Sequence, residues 1–252
     1  MSQPPPQLIL FRHGACMWAK SDRFAGWADV DLNPTGIAEA HRAAHWLRRA
    51  GIGYDVAYTS VLKRAIRSLW IILDEMNLLW VPVVRDWRLN ERHYGVLEGV
   101  KRQDALERYG QDAIVTWQHT CDAAPPPLAA DDPRHPRHDP RYARLPAETL
   151  PATETLRQTQ TRVLALWHAQ IVPRIQAGER VLIVAHANSL RVLVKHLDGI
   201  PDEAVGNLRL PSGIPRLYTF DAHMHITERR YLGKAVDAPN PSARRAHARP
   251  SR

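Results

Sequence analysis

Apolar positions along the chain follow two rhythms. Short continuous runs, "QLILFR", "DVAYTS" and "RVLIVAH", are bounded by polar residues and predict buried strands. "LNPTGIAEAHRAAHWLRRAG" repeats its apolar residues every three to four positions and predicts a helix. Asn33 suits its N-cap, Pro34 its first turn and Gly51 its end. "VLKRAIRSLWIILDEM" predicts a second helix through Leu62, Ile66, Leu69 and Leu73. A long one over about 155–177 carries Leu156, Val163, Leu166, Trp167 and Ile171 on one side, and Pro173 should end or kink it. "SLRVLVKHL" predicts another helix. "WVPVV" fits an edge strand, because Pro82 cannot donate to a central ladder. "RLYTFD" and "HITERRYL" read as a final pair of strands. Strands alternating with helices predict an α/β fold, a mostly parallel sheet flanked by helices on both faces. Ligands of such sheets gather at the carboxyl ends of the strands.

Two segments fall outside this rhythm. Residues 120–152 hold eight prolines and few aliphatics, which predicts a Pro-rich insertion, a lid or surface loop. Residues 234–252 are expected to form a basic, disordered tail, which leaves residues 1–233 as a single catalytic domain. That tail carries Lys234, Arg244, Arg245, Arg249 and Arg252 against Asp237, and so supplies half of the formal charge of +8. The remaining excess is modest and does not suggest a nucleic-acid-binding face. No apolar run approaches the ~20 residues of a membrane span. "MSQPPPQ" has no basic region followed by an apolar one, so no signal peptide is expected, and two cysteines are too few for a disulfide framework. A cytoplasmic location is the expectation.

Two of the strong strands end on histidine: His13 closes "LILFRH" and His186 closes "VLIVAH". In a parallel sheet the two imidazoles can share one edge. Arg12 precedes His13, Arg64 follows the second strand, and Glu91 lies in "NERHYG" after the edge strand. This set matches the needs of phosphoryl transfer. Guanidiniums neutralise the charge on the equatorial oxygens, a neutral imidazole nitrogen attacks phosphorus, and a carboxyl exchanges a proton with the leaving oxygen. No metal is needed. Each residue taken alone also fits a structural role, and spacing does not decide between the two readings.

A resemblance does. "LILFRHGACMW", "RFAGWADVDLNPTG", "YTSVLKRAI", "LNERHYGVLEG", "PPPL", "HDPRYA", "LPATETL" and "GERVLIVAHANSLR" resemble, in order, the signatures of the 2,3-bisphosphoglycerate-dependent phosphoglycerate mutases of the histidine phosphatase superfamily. The resemblance spans about residues 8–233. It implies interconversion of 3-phosphoglycerate and 2-phosphoglycerate, in glycolysis and gluconeogenesis, primed by 2,3-bisphosphoglycerate. His13 would be the phosphorylated nucleophile and Glu91 the acid and base, with Arg12, Arg64 and His186 around the phosphoryl group. Arg23, Gly26, Tyr94, Lys101 or Arg102, and Asn188 would line the substrate site. It also implies a small anionic phosphorylated substrate, a homodimer or homotetramer, and no nucleic-acid or membrane partner.

The chain departs from that pattern in the substrate shell. Cys16 stands where the family has serine, Ala19 where it has asparagine, and Ala25 where it has threonine. Gln118 and His119 replace two arginines after Trp117, and Ala187 replaces a glycine. Two alternatives to the mutase therefore stand: a divergent phosphatase or phosphotransferase acting on another phosphorylated metabolite, and a non-catalytic paralogue that binds phosphorylated ligands.

Overall fold

The structure, a computed structural model, describes residues 5–233. Six strands form one sheet: β1 (Gln7–Arg12), β2 (Val56–Thr59), β3 (Val83–Arg85), β4 (Val181–Ala185), β5 (Arg216–Phe220) and β6 (Ile226–Tyr231), in the order β3-β2-β4-β1-β5-β6. The first four positions are mutually parallel, and β5 and β6 add an antiparallel edge. "WVPVV" is an edge strand as its proline requires. At the opposite edge β6 exposes Glu228, Arg229 and Arg230, charges that oppose pairing with another chain.

Alternate side chains of each strand serve opposite faces of the sheet. Ile9, Phe11, Ala57, Leu182 and Val184 pack under α1 (Pro34–Arg49) and α2 (Lys63–Glu75). Leu8, Leu10, Val56, Tyr58, Val181 and Ile183 pack with the helices of the other face, α4 (Leu156–Leu166) and α6 (Ala187–Asp198). Asn33 caps α1 by accepting from Gly36 N, and its amide also donates to Cys16 O, so the cap ties the helix to the loop after β1. In α2 the buried stripe is wider than the leucine spacing predicts, because Arg64 and Ser68 are buried with Leu69 and Ile72. The helix expected over 155–177 is interrupted one turn earlier than its proline. A π turn at Trp167–Ile171 precedes α5 (Val172–Gln176), which contains Pro173.

The Arg102–His119 helix, α3, was absent from the expected elements, because only Ala105 and Ile114 are buried along it. It breaks at Gly110, whose φ of 80° is one that glycine tolerates. The break folds the element back on itself. Arg102 Nη1 donates to Gln118 Oε1 at 3.0 Å, whereas a straight helix would separate these residues by ~24 Å.

The 120–152 insertion is a packed surface segment of short 3₁₀ turns. Tyr142 is buried against Trp27, and its hydroxyl accepts from Asn90 Nδ2 at 2.8 Å. Residues 133–135 and 138–141 of the insertion line a cavity with Trp18, Trp27 and Glu98 rather than the larger cleft described below. The expected tail, 234–252, lies outside the described residues. Among the described residues no helix is long and apolar enough to cross a membrane.

Candidate functional site

The sheet register builds the site. Arg12 of β1 sits beside Ala185 of β4, and His13 N donates to Ala185 O at 3.0 Å. The next residue of each strand is a histidine, so the rings of His13 and His186 meet edge to face with centroids 4.8 Å apart. On the other flank of β4, Thr59 pairs with Val184, which places Ser60 Oγ 2.7 Å from His186 Nε2.

Hydrogen bonds fix the chemistry of His13. Its Nδ1 lies 2.7 Å from Gly14 O, a carbonyl that can only accept, so Nδ1 carries the proton and Nε2 keeps its lone pair. Arg64 Nε faces that lone pair at 3.3 Å. The rest of the Arg64 guanidinium donates to Ala28 O and Gly26 O, at 2.9 and 2.7 Å. Burial pushes the pKa of both histidines well below the ordinary imidazole value. Arg64 adds to this in each, joined by Arg12 at His13. Both rings are therefore neutral at pH 7, and His13 presents an uncharged nucleophilic nitrogen.

Among the described residues two buried polar atoms here have no hydrogen-bond partner: Arg12 Nε and His186 Nδ1. Arg12 Nε is a donor, and His186 Nδ1 is one when the Ser60 hydroxyl donates to His186 Nε2. Buried unpaired donors cost free energy that an anion recovers.

Glu91 is buried, with Oε1 accepting from Arg92 N at 2.8 Å and Asn188 N at 3.0 Å. Its backbone carbonyl is held by Trp27 Nε1 and by Arg162, which forms a buried ion pair with Glu154. Arg92 reaches Glu154 O, Trp117 O and Ala123 O, and so fastens this loop to the end of α3.

A cleft of about 1320 Å³ opens beside Arg12. Tyr94, Arg102, Gln118, His119, Ala187 and Asn188 line it, and Asn188 Nδ2 donates to the Tyr94 hydroxyl at 2.8 Å. Three expected substrate residues do not. Arg23 is exposed and donates to Gly99 O at 2.6 Å, and Lys101, its backbone bridge partner, is exposed as well, so Arg102 is the cation that faces the cleft. Gly26 is buried and acts through its carbonyl on Arg64.

Sequence reasoning missed several participants. Ser60 and the Arg162–Glu154 pair carry no pattern of their own. Arg191 does: it lies three residues beyond Asn188, on the same helix face. It lines the cleft, as does Arg209 from the loop before β5.

The chain matches the histidine phosphatase superfamily (branch 1) over residues 8–135 and 127–223, and it belongs to that family. Solved structures share its fold. The mycobacterial glucosyl-3-phosphoglycerate phosphatase in complex with VO3 is similar at 20% identity and TM-score 0.65, covering 90% of this chain and 96% of that one. A putative α-ribazole-5′-P phosphatase from Escherichia coli aligns at 21% identity and TM-score 0.67, covering 92% and 97%. The α-ribazole phosphatase from Shigella flexneri aligns at 22% and 0.62, covering 85% and 91%.

Proposed function

We propose that the protein is a phosphohydrolase that cleaves a phosphomonoester through a phosphohistidine on His13. The observation that carries this reading is the neutral His13 Nε2, its lone pair unprotonated and faced by Arg64 Nε at 3.3 Å, with the His186 ring centroid 4.8 Å from its own and Arg12 the adjoining residue. In the first step Nε2 attacks phosphorus, the ester P–O bond breaks, and its electron pair leaves on the alcohol oxygen. The Glu91 carboxyl gives that oxygen a proton. In the second step water attacks the phosphohistidine, Glu91 takes back a proton, the N–P bond breaks and inorganic phosphate departs. Arg12, Arg64 and His186 stabilise the equatorial charge in both steps.

Mutase activity is the second reading. A mutase must shelter its phosphohistidine from water. A cleft of about 1320 Å³ beside Arg12 leaves room for water, which favours hydrolysis. Three similar structures are also named phosphatases. What favours the mutase is the cationic lining beyond the phosphoryl pocket. The unpartnered Arg12 Nε, with Arg64 and His186 beside His13, fits a phosphoryl group of 2,3-bisphosphoglycerate, which would supply the phosphoryl group that primes His13, with Arg102 facing its second anion.

The test is release of inorganic phosphate from a panel of phosphomonoesters, beside conversion of 3-phosphoglycerate to 2-phosphoglycerate with and without 2,3-bisphosphoglycerate. The expected result is phosphate release that His13→Ala abolishes. Primed isomerisation without phosphate release would instead establish the mutase.

A further inference from the structure

The loop that carries the nucleophile is clamped by the two helices beneath it. Gly14 N donates to Ser68 Oγ of α2 at 3.2 Å. Gly14 and Gly36 of α1 meet backbone to backbone, so that a Cβ on either would collide with the main chain of the other segment. This contact sets the first turn of α1 against the peptide that joins Gly14 to Ala15. Glu39 lies three residues beyond Gly36, on the same side of the helix, and its carboxylate reaches that peptide. Glu39 Oε2 accepts from Ala15 N at 2.8 Å and from Ser212 Oγ at 2.9 Å, and Ser212 Oγ also lies 3.1 Å from His13 O. Gly213 presses on the Glu39 stem from the other side, where any side chain would collide with it. Among the described residues Glu39 forms no ion pair, so no cation neutralises its charge.

The same peptide meets the imidazole. Its carbonyl, Gly14 O, accepts from His13 Nδ1 at 2.7 Å, while its N–H, that of Ala15, donates to Glu39. Hydrogen bonds therefore run from the ring through one peptide group to a carboxylate. A peptide whose N–H donates to an anion is polarised, and its carbonyl becomes the stronger acceptor. The link bears on the event at Nε2. When Nε2 gives its lone pair to phosphorus and Nδ1 keeps its proton, the ring becomes positively charged. Burial, Arg64 and Arg12 all oppose a positive ring, and the hydrogen bond to Gly14 O favours one.

We propose that Glu39 is a positioning residue for the nucleophile: through the Gly14–Ala15 peptide it fixes the Nδ1–H tautomer of His13 and stabilises the positive ring that phosphorylation creates. This deepens the phosphohydrolase reading and rests on it for the phosphorylation of His13.

The experiment compares the intact wild-type chain with Glu39→Gln and Glu39→Ala. Glutamine keeps the size and an acceptor oxygen for Ala15 N and removes the charge, whereas alanine removes both. Proton–nitrogen NMR of protein labelled with 15N at histidine gives the first readout, the His13 signal being the one absent from His13→Ala. The Nδ1–H proton should move upfield in Glu39→Gln, as it does when its acceptor weakens. The second readout is the single-turnover release of p-nitrophenol from p-nitrophenyl phosphate, which reports the phosphorylation step. That rate should fall roughly tenfold in Glu39→Gln, the difference between a charged and a neutral hydrogen-bond partner, while the Kd of inorganic phosphate and the urea midpoint stay unchanged. Glu39→Ala should lose more rate and also stability. A Glu39→Gln protein with the wild-type proton shift or the wild-type rate overturns the proposal, since the carboxylate would then serve only as a backbone acceptor. Turnover in which neither readout moves would remove the link and leave the hydrolase. A proton shift that moves in a wild type unable to release p-nitrophenol would keep Glu39 as the residue that positions His13 and remove the hydrolase.

Discussion

Replacing Glu98 by glutamine should stabilise the protein at neutral pH and remove a fall in stability between pH 6.5 and 8. Glu98 is 5% exposed, and its Oε1 accepts from Trp27 N at 2.7 Å and Tyr94 N at 3.2 Å. Burial pushes its carboxyl up to about 8, against the opposing pull of those two N–H groups and of Arg64 and Arg134. His93 Nδ1 lies 3.6 Å away, but burial takes that ring down to about 3, so the contact is between two neutral groups at pH 7. The unfolded chain ionises Glu98 near pH 4.3. Between that pH and about 8 the folded state therefore binds the extra proton, and stability is lost as pH rises. The slope is about 1.4 kcal/mol per pH unit, which amounts to about 2 kcal/mol from pH 6.5 to 8. His13, His186 and His93 act with the opposite sign: their folded pKa values are depressed, so they weaken the fold as pH falls below about 6.5 and are silent above it.

Glutamine keeps an acceptor oxygen for Trp27 N and Tyr94 N and has no proton to lose. Urea unfolding of both proteins at half-unit steps of pH gives the comparison. The gain of Glu98→Gln over wild type should widen by about 2 kcal/mol between pH 6.5 and 8 and then level off. At a urea slope of roughly 2 kcal/mol/M this is a midpoint difference of about 1 M. Other groups titrate in this window, but they cancel in the difference. Parallel stability curves would refute the reasoning, since they would mean that Glu98 is already ionised in the folded protein.

Two further outcomes follow from the same region. Gly26→Ala should destabilise the fold by about 1–3 kcal/mol and depress kcat more than KM, because a Cβ there collides with the Glu98 carboxyl group and displaces the carbonyl that holds Arg64; chemical denaturation and phosphatase kinetics check the two effects. Inorganic phosphate at a hundred times its Kd should stabilise the wild type by about 2.7 kcal/mol, and Arg12→Ala should lose most of that gain in a thermal-shift titration, since Arg12 Nε is one of the unpaired donors awaiting the anion.

The two histidine-bearing strands were legible because each is a run of aliphatics long enough to be buried on both faces. Leu8 to Phe11 and Val181 to Ala185 announce buried strands, and the structure places them side by side near the centre of the sheet. Helix α1 was legible through Asn33 and Pro34. What stayed hidden lacks periodicity. Helix α3 buries two residues and turns at Gly110, so its sequence reads as polar coil. Arg209 reaches the cleft through an irregular turn whose position depends on contact with α3, information that no local window contains. Arg162 is a charged residue in a helix expected to be amphipathic and Glu154 lies just before that helix, and their burial is offset by pairing with each other, which only the assembled fold reveals.

The dependence of the site on sheet register explains why so much of it could be foreseen from two strand ends. Side chains alternate along a strand, so a one-residue slip of β1 against β4 would carry Leu8 and Leu10 to the face now filled by Ile9 and Phe11. Both faces are packed, and the aliphatic sets differ in shape, so the slip is opposed along the whole strand. The same register fixes Arg12 beside Ala185 and thereby His13 beside His186. Thr59 beside Val184 repeats the logic for Ser60. The phosphoryl pocket is thus held by the part of the molecule that resists rearrangement most. The adjoining cleft is lined by α3, the N-terminal turn of α6 and the loop before β5, where register imposes nothing. Substitutions such as Gln118 and His119 can accumulate there without disturbing His13, which is how one histidine phosphatase core comes to face a different set of side chains.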